Sequence, residues 1–155
     1  MTRALVVSAL AAMAACGAQT QTIPGTQVPD TPENHALIER VEEYRVAMER
    51  QDARALVLMA SENYREQAQG LGDDYGYDQL LEILRTRLSQ VEDIRYALRY
   101  MNVEREGDVA LVDVLIDASY TIEDARGVRI RRDMQDQNRM ILEWDGENWM
   151  FLSGM

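Results

Sequence analysis

The chain alternates two kinds of periodicity. From residue 33 onward, apolar positions first recur every three or four residues. Leu37, Val41, Tyr44 and Met48, with Ile38 beside them, predict a helix over Glu33–Arg50. Gln51 and Asp52 interrupt it. Asp52 is a good N-cap for a second helix, Ala53 to about Arg65, which carries Leu56, Val57, Met59 and Ala60. Gln67–Gly76 reads as a loop. A third helix, about Tyr77 to Val91, aligns Leu80, Leu81, Leu84, Leu88 and Val91. After Asp93 the period drops to two. Ile94, Tyr96, Leu98 and Tyr100 share one face of a strand, and Arg95, Ala97, Arg99 and Met101 the other. Glu104–Asp108 reads as a turn. A second strand alternates Val112, Val114, Ile116, Ala118 and Tyr120 against Leu111, Asp113, Leu115, Asp117 and Ser119. A turn at Asp124–Gly127 leads into a long strand, Val128–Trp144. Asp145-Gly146 is a hairpin signal before a last strand, Trp149–Ser153.

Three helices followed by an antiparallel meander predict an α+β domain, with the helices covering the apolar face of the sheet. If the first hairpin turns at Glu106, Arg99 falls opposite Asp113 and Arg95 opposite Asp117. Such cross-strand pairs contribute roughly 0.2–1 kcal/mol each, which gives these four residues a structural reading.

The first 32 residues follow a different rule. Arg3 is the only charge before Asp30, and Ala4–Ala15 is apolar except for Ser8. A cationic start, a short apolar core and small residues at the exit predict an export signal over 1–15. The run falls short of the roughly 20 apolar residues that span a bilayer. Met13-Ala14-Ala15-Cys16 resembles the bacterial lipobox, with Met where Leu is usual. The resemblance implies cleavage before Cys16 and acylation of its thiol, hence anchoring to a membrane of the cell envelope. Gly17, in place of the aspartate that resembles a retention signal for the inner membrane, favours the outer membrane. Each buried methylene contributes about 0.8 kcal/mol, so two or three chains on Cys16 hold firmly where one holds marginally. The rival reading is a soluble export signal with an incidental cysteine. Gly17–Pro32 contains all three prolines and shows no periodicity. It predicts a flexible tether spanning roughly 20–25 Å. The division expected is 1–15 signal, 16–33 attachment cysteine and linker, 34–155 folded domain.

The order of elements is similar to that of the nuclear transport factor 2-like superfamily, the cone shared with ketosteroid isomerase and polyketide cyclases. The matching pieces are MERQDARALVLMASENY, DIRYALRYMNVEREGDVALVDV and NRMILEWDGENWMF. The resemblance covers about residues 34 to 153 and implies a curved sheet and helices enclosing a pocket. Some members are enzymes; many bind or dimerise, and fold alone does not assign function.

Composition narrows the partners. The net charge of the 155 residues is −11, and every basic residue is Arg. This surface repels nucleic acid and anionic lipid head groups. No free thiol is left for disulfides once Cys16 is acylated, so the fold rests on its core.

Candidate chemistry is sparse. His35 is the only histidine and sits at a linker–helix junction, a poor place for a general base. Metal ligation by His or Cys fails on residue count. Gly72–Asp78, GDDYGYD, lacks the alternate acidic spacing of a calcium loop and reads as a solvated loop with Asp78 as N-cap. No phosphate loop is present and no cofactor is expected. The unusual stretch is RRDMQDQNRM. By parity with Ile130, Met140 and Leu142, the inward residues are Arg132, Met134, Asp136 and Asn138; a bulge would reverse this. Polar groups on a core face cost several kcal/mol unless paired or wet. Two readings stay open. In one, Arg132 and Asp136 form an internal ion pair. In the other, Arg132, Asp136 and Asn138 line a solvent-filled cavity with Tyr44, Tyr64, Tyr96, Tyr100 and Tyr120. No catalytic residue is assigned. The function expected is non-catalytic binding of a small molecule or protein partner, with a homodimer through the outer sheet face. The alternatives are a cofactor-free isomerase or dehydratase with Asp136 as base, and a structural subunit of an envelope assembly. Trp144, Trp149, Met150 and Phe151 read as core.

Overall fold

The computed structural model describes residues 21–67 and 74–155. Its elements run α1 (Pro32–Glu49), α2 (Ala53–Met59), β1 (Arg65–Glu66), β2 (Tyr75–Gly76), α3 (Tyr77–Leu88), β3 (Glu92–Glu106), β4 (Val109–Glu123), β5 (Arg129–Trp144) and β6 (Trp149–Ser153). The last four form one antiparallel sheet in chain order, and β1 and β2 make a separate two-stranded ribbon. The α+β architecture read from the sequence is the one observed: three helices against a curved meander.

Each helix begins where its sequence supplies a partner for the free N–H groups of the first turn. Thr31 caps α1 by accepting from Asn34 N–H, with Pro32 in the first position. Asp52 caps α2 through Ala55 N–H at 3.0 Å, as expected. α3 is capped from Gly76, whose N–H bonds the Gln79 side chain at 3.3 Å, so Asp78 is not the cap but lies inside the first turn. α2 also stops earlier than the apolar pattern suggested. Ala60 is extended and bridges Phe151 of β6, and Ser61 N–H bonds the Phe151 carbonyl at 2.8 Å. A sheet contact outcompetes continued helix, and Tyr64 therefore follows the helix instead of riding on it. Of the stretch read as a loop, residues 68–73 lie outside the described residues, and Tyr75–Gly76 pairs with β1.

The core joins both layers. Leu37, Val41 and Tyr44 of α1, Leu56 of α2 and Leu80 of α3 meet Val112, Val114, Met140, Leu142 and Phe151 of the sheet. All ten are at most 2% exposed.

Three expectations are corrected. First, the tether is not free along its whole length. Val28 is fully buried and Ile23 is 8% exposed, both in the same core. Gln27 N–H bonds the Tyr100 carbonyl at the edge of β3, and Thr22 bridges Pro29. Two apolar residues in a polar stretch carry no period, yet they suffice to fold residues 21–31 onto the domain. Cys16 and the export signal lie outside the described residues.

Second, the first hairpin does not turn at Glu106. Glu106 pairs with Val109 across Gly107-Asp108, and Gly107 takes the positive φ of 60° that the turn needs. A register shift between Tyr100 and Asn102 displaces the ladder again. Arg99 therefore faces Leu115 and Arg95 faces Ser119. Asp113 instead takes a fork of two bonds from Arg139 of β5, at 2.6 and 2.9 Å. Asp117 accepts from Gln135 at 3.4 Å.

Third, the polar centre of β5 is not buried. The β4–β5 register runs without a break from Val109↔Glu143 to Glu123↔Arg129, so the inferred parity stands: Asp136 lies opposite Ile116 and Asn138 opposite Val114. Every residue from Arg131 to Gln137 is nonetheless exposed. Arg132 and Asp136 form no ion pair among the described residues. With no burial there, the penalty that suggested an internal pair does not arise.

Candidate functional site

The concave face is the natural place to look, because helices and sheet approach each other there. What they enclose is mostly aromatic. Tyr44 of α1 packs edge-on against Tyr96 of β3, with ring centroids 6.1 Å apart, and tilts against Phe151 at 5.4 Å. The hydroxyls of Tyr44 and Tyr96 lie close enough to influence each other's ionisation. Burial pushes Tyr44 well above the usual tyrosine range, with Tyr96 adding to the effect. Burial also raises Tyr96, opposed by the Tyr44 hydroxyl and reinforced by the negative charge of Asp136. Asp136 thus sits at the exposed rim of the concave face, within electrostatic reach of the buried Tyr96 phenol.

The remaining candidates separate. Tyr64 is fully buried, stacks at a tilt on Tyr75 at 6.3 Å and donates to Glu66 Oε2 at 2.8 Å. Glu66 accepts at the same oxygen from Gly154 N–H, which ties the C-terminal residues to β1. Burial and then this bond raise Tyr64 far above its ordinary value. Tyr100 donates to Glu42 Oε1 at 2.7 Å, and burial with that bond raises it likewise. Asn138 donates to the Gly154 carbonyl at 2.7 Å. Tyr120 and Arg132 face each other where β4 and β5 leave the helices, Tyr120 half-buried and Arg132 exposed. The structure therefore packs Tyr44 against Tyr96 and leaves Asp136 at the rim within reach of Tyr96 alone. It does not bring Tyr64, Tyr100, Tyr120, Arg132 and Asn138 into one cavity with them.

Sequence reasoning missed two features. Glu42, Arg45 and Glu49 form an ion-paired ladder along α1, with Arg45 at 2.6 Å from Glu42 and 2.9 Å from Glu49. Glu49 also accepts the Tyr96 N–H at 2.9 Å, satisfying a donor on the free edge of β3. A hollow of about 570 Å³ opens beside this ladder and carries Arg95, Asp117 and Arg131 on its other wall. The i, i+3, i+4 spacing was the available signal. The second feature is Trp144, read as core but 40% exposed. Its ring meets Trp149 at 5.6 Å in a groove against the start of α1. The signal there was its position immediately before the Asp145-Gly146 turn. His35 bonds Asp30 at 2.8 Å on the exposed surface. Among the described residues, no group of three or more His, Cys, Asp or Glu is arranged to hold a metal, and no helix is long and apolar enough to cross a membrane.

No family model and no curated protein matches the chain. Solved structures do. A candidate scytalone dehydratase from Novosphingobium aromaticivorans is similar with a TM-score of 0.69 at 12% identity, over 78% of this chain and 80% of that one. A candidate dehydratase of the nuclear transport factor 2-like family from Streptomyces avermitilis gives 0.66 at 16%, over 79% and 95%. A ketosteroid isomerase-like protein from Erwinia carotovora atroseptica gives 0.65 at 20%, over 79% and 93%. The chain has the nuclear transport factor 2-like fold. That fold houses both ligand-binding proteins and isomerases or dehydratases.

Proposed function

We propose that this chain is a non-catalytic binding domain held at a bacterial envelope membrane, the outer one, through acylated Cys16. The observation that carries the binding reading is the make-up of the interior. The buried polar or charged residues among those described are Ser61 and Ser119, and both are hydrogen-bonded. General acid–base work needs a titratable group poised at a reacting atom. Here the titratable groups of the interior are the phenols of Tyr44, Tyr64, Tyr96 and Tyr100, packed among rings and aliphatic side chains, and no carboxylate or imidazole is buried among the described residues. The anchoring reading is supported by Met13-Ala14-Ala15-Cys16 after an apolar run, and by that cysteine being the chain's single thiol. A homodimer through the outer sheet face belongs to the same proposal, with the Asp113–Arg139 fork at its centre.

Fractionation tests the anchor. The protein is expected in the envelope fraction with acyl mass on Cys16, and Cys16→Ser is expected to lose both. An unchanged pellet with no acyl mass on the parent chain overturns it. A second reading has its own observation: Asp136 lies near the Tyr96 phenol, an arrangement that could accept and return a proton on a carbonyl compound. If Asp136→Asn abolished turnover of a cyclic enone while leaving the circular dichroism spectrum intact, the isomerase or dehydratase reading would replace the first.

A further inference from the structure

The groove at the tryptophans is built from the first turns of α1 and the β5–β6 hairpin. Trp144 and Trp149 are cross-strand partners on the concave face. Ala36 of α1 lines the groove beside them, and its small side chain leaves Trp144 uncovered. Two hollows, of about 340 and 230 Å³, meet at Ala36, Trp144 and Trp149 and continue on either side. An indole 40% exposed beside its buried partner is a large apolar surface that folding has left open.

The rim is anionic. Glu33 and Asp108 border one half; Glu39, Glu43 and Glu147 border the other. Glu33, Glu39, Asp108 and Glu147 take part in no ion pair among the described residues. Two arginines also reach the groove. Arg40 is already committed: its Nε donates to the Trp149 carbonyl at 2.7 Å, and its terminal nitrogens donate to Glu43 at 2.8 Å and to Met150 Sδ at 3.3 Å. Arg105 borders only the Glu33–Asp108 half. The floor is fixed in advance. Trp144 N–H bonds the Asp108 carbonyl at 2.8 Å, and Asp145 Oδ1 accepts from Glu147 and Asn148 N–H at 2.8 and 2.7 Å, which holds Glu147 beside the rings.

An aromatic face surrounded by carboxylates selects cations. Carboxylates further select a cation that donates hydrogen bonds in a plane, which a guanidinium does and a quaternary ammonium does not. We propose that the Trp144–Trp149 groove binds an alkylguanidinium, its plane stacked on Trp144 and its N–H groups directed to Glu39 and Glu147. This deepens the binding-domain reading and rests on it, by naming the ligand chemistry.

The chain has two tryptophans, and both line this groove, so tryptophan emission of the full-length protein in detergent, excited beyond the tyrosine band, reports on the site. Titration with butylguanidinium is expected to give a saturable change. Replacing Glu39 and Glu147 together by Gln should weaken it by about ten-fold or more, the scale of a lost charged hydrogen bond. Tetramethylammonium should bind weaker by a similar factor, and Ala36→Leu should block the site with folding unchanged. Acetyl-Gly-Arg-Gly-amide distinguishes the source: tighter binding than butylguanidinium assigns the site to arginines of a protein chain, weaker binding to a free small molecule, and either supports the proposal. Absence of saturation overturns it. So does equal affinity in the Glu39, Glu147 double variant, equal affinity for tetramethylammonium, or a signal that follows protein concentration alone, which would assign the groove to a second copy. Enone turnover lost in Asp136→Asn would overturn the binding-domain reading without altering this titration, so the two failures are separable.

Discussion

Raising the pH past the tyrosine range should strike this fold at four points together. Tyr44, Tyr64, Tyr96 and Tyr100 all have ionisation displaced upward from the ordinary tyrosine value, burial being the leading cause in each. In the unfolded chain the same phenols ionise normally. The sign follows from linkage. A group whose folded value is raised binds its proton more tightly in the native state, so its contribution is fully present below the unfolded value and is lost as pH rises above it. For each phenol that stays protonated in the fold and ionises in the unfolded chain, stability falls by about 1.4 kcal/mol per pH unit. Four acting together give a slope of about 5 kcal/mol per pH unit, steep against a total of roughly 5–15 kcal/mol for a domain. The protein should therefore unfold cooperatively within about one to three pH units above the normal tyrosine value. The assay follows phenolate absorbance and far-ultraviolet circular dichroism in one alkaline titration. The buried phenols should ionise in a single step that coincides with loss of secondary structure. Smooth ionisation of all seven tyrosines with the dichroism intact would show that Tyr44, Tyr64, Tyr96 and Tyr100 are reached by solvent, and would refute the packed interior on which the binding reading stands.

Three further outcomes are expected. Val28→Ala removes two carbons from a fully buried site and should cost about 2 kcal/mol in urea denaturation, whereas a true tether would register nothing. Gly154→Ala should cost roughly 1–3 kcal/mol, because Gly154 has a φ of 86° and a Cβ there would stand 2.6 Å from the Arg139 carbonyl oxygen; an unchanged Tm would contradict the close approach. The Arg139 fork holds the Asp113 carboxyl below the usual aspartate range, so its stabilising effect is fully present above the unfolded value and disappears as pH falls through the lowered one; carboxyl-carbon NMR should show Asp113 taking up its proton late among the aspartates as pH falls, and Arg139→Gln should move it back toward the ordinary range.

Much of the fold was legible because period and burial agree over long runs. Leu80, Leu84 and Leu88 mark α3, and Val112, Val114 and Ile116 mark β4, with no help from tertiary structure. The misses have two causes, contacts distant in sequence and single-residue irregularities in the strands. Ala60 leaves its helix because Phe151, far along the chain, offers a bridge. Val28 is core because α1 and β3 leave a gap beside Tyr100. The first register slipped because a bulge and a glycine turn are single-residue events that alternation does not encode. Of the candidate residues, Tyr44 was placed by helical spacing and Tyr96 and Asp136 by strand parity, which survived intact across β4–β5. Parity fixes the face a side chain occupies; whether anything lies over that face is decided by the length of the helices above it. Asp136 and Arg132 therefore kept their side of the sheet and lost their cavity.

That difference bears on where binding can occur in this cone. Space between helices and sheet is filled by Tyr44, Tyr64, Tyr96, Phe151 and Met140, whose burial stabilises a domain without disulfides. Opening the interior to a ligand would expose those rings and forfeit that stabilisation. A surface groove carries no such penalty. Trp144 is open already, its backbone is pinned by Asp108, and its carboxylate neighbours stand apart from the core. Substituting Trp144 should thus alter binding far more than folding, while substituting Tyr44 should do the reverse. A single pair of variants, Trp144→Ala and Tyr44→Ala, compared by urea denaturation and by butylguanidinium calorimetry, separates the two surfaces. If Trp144→Ala unfolds the protein as readily as Tyr44→Ala does, the groove is part of the core, and the division between stability inside and recognition outside is wrong.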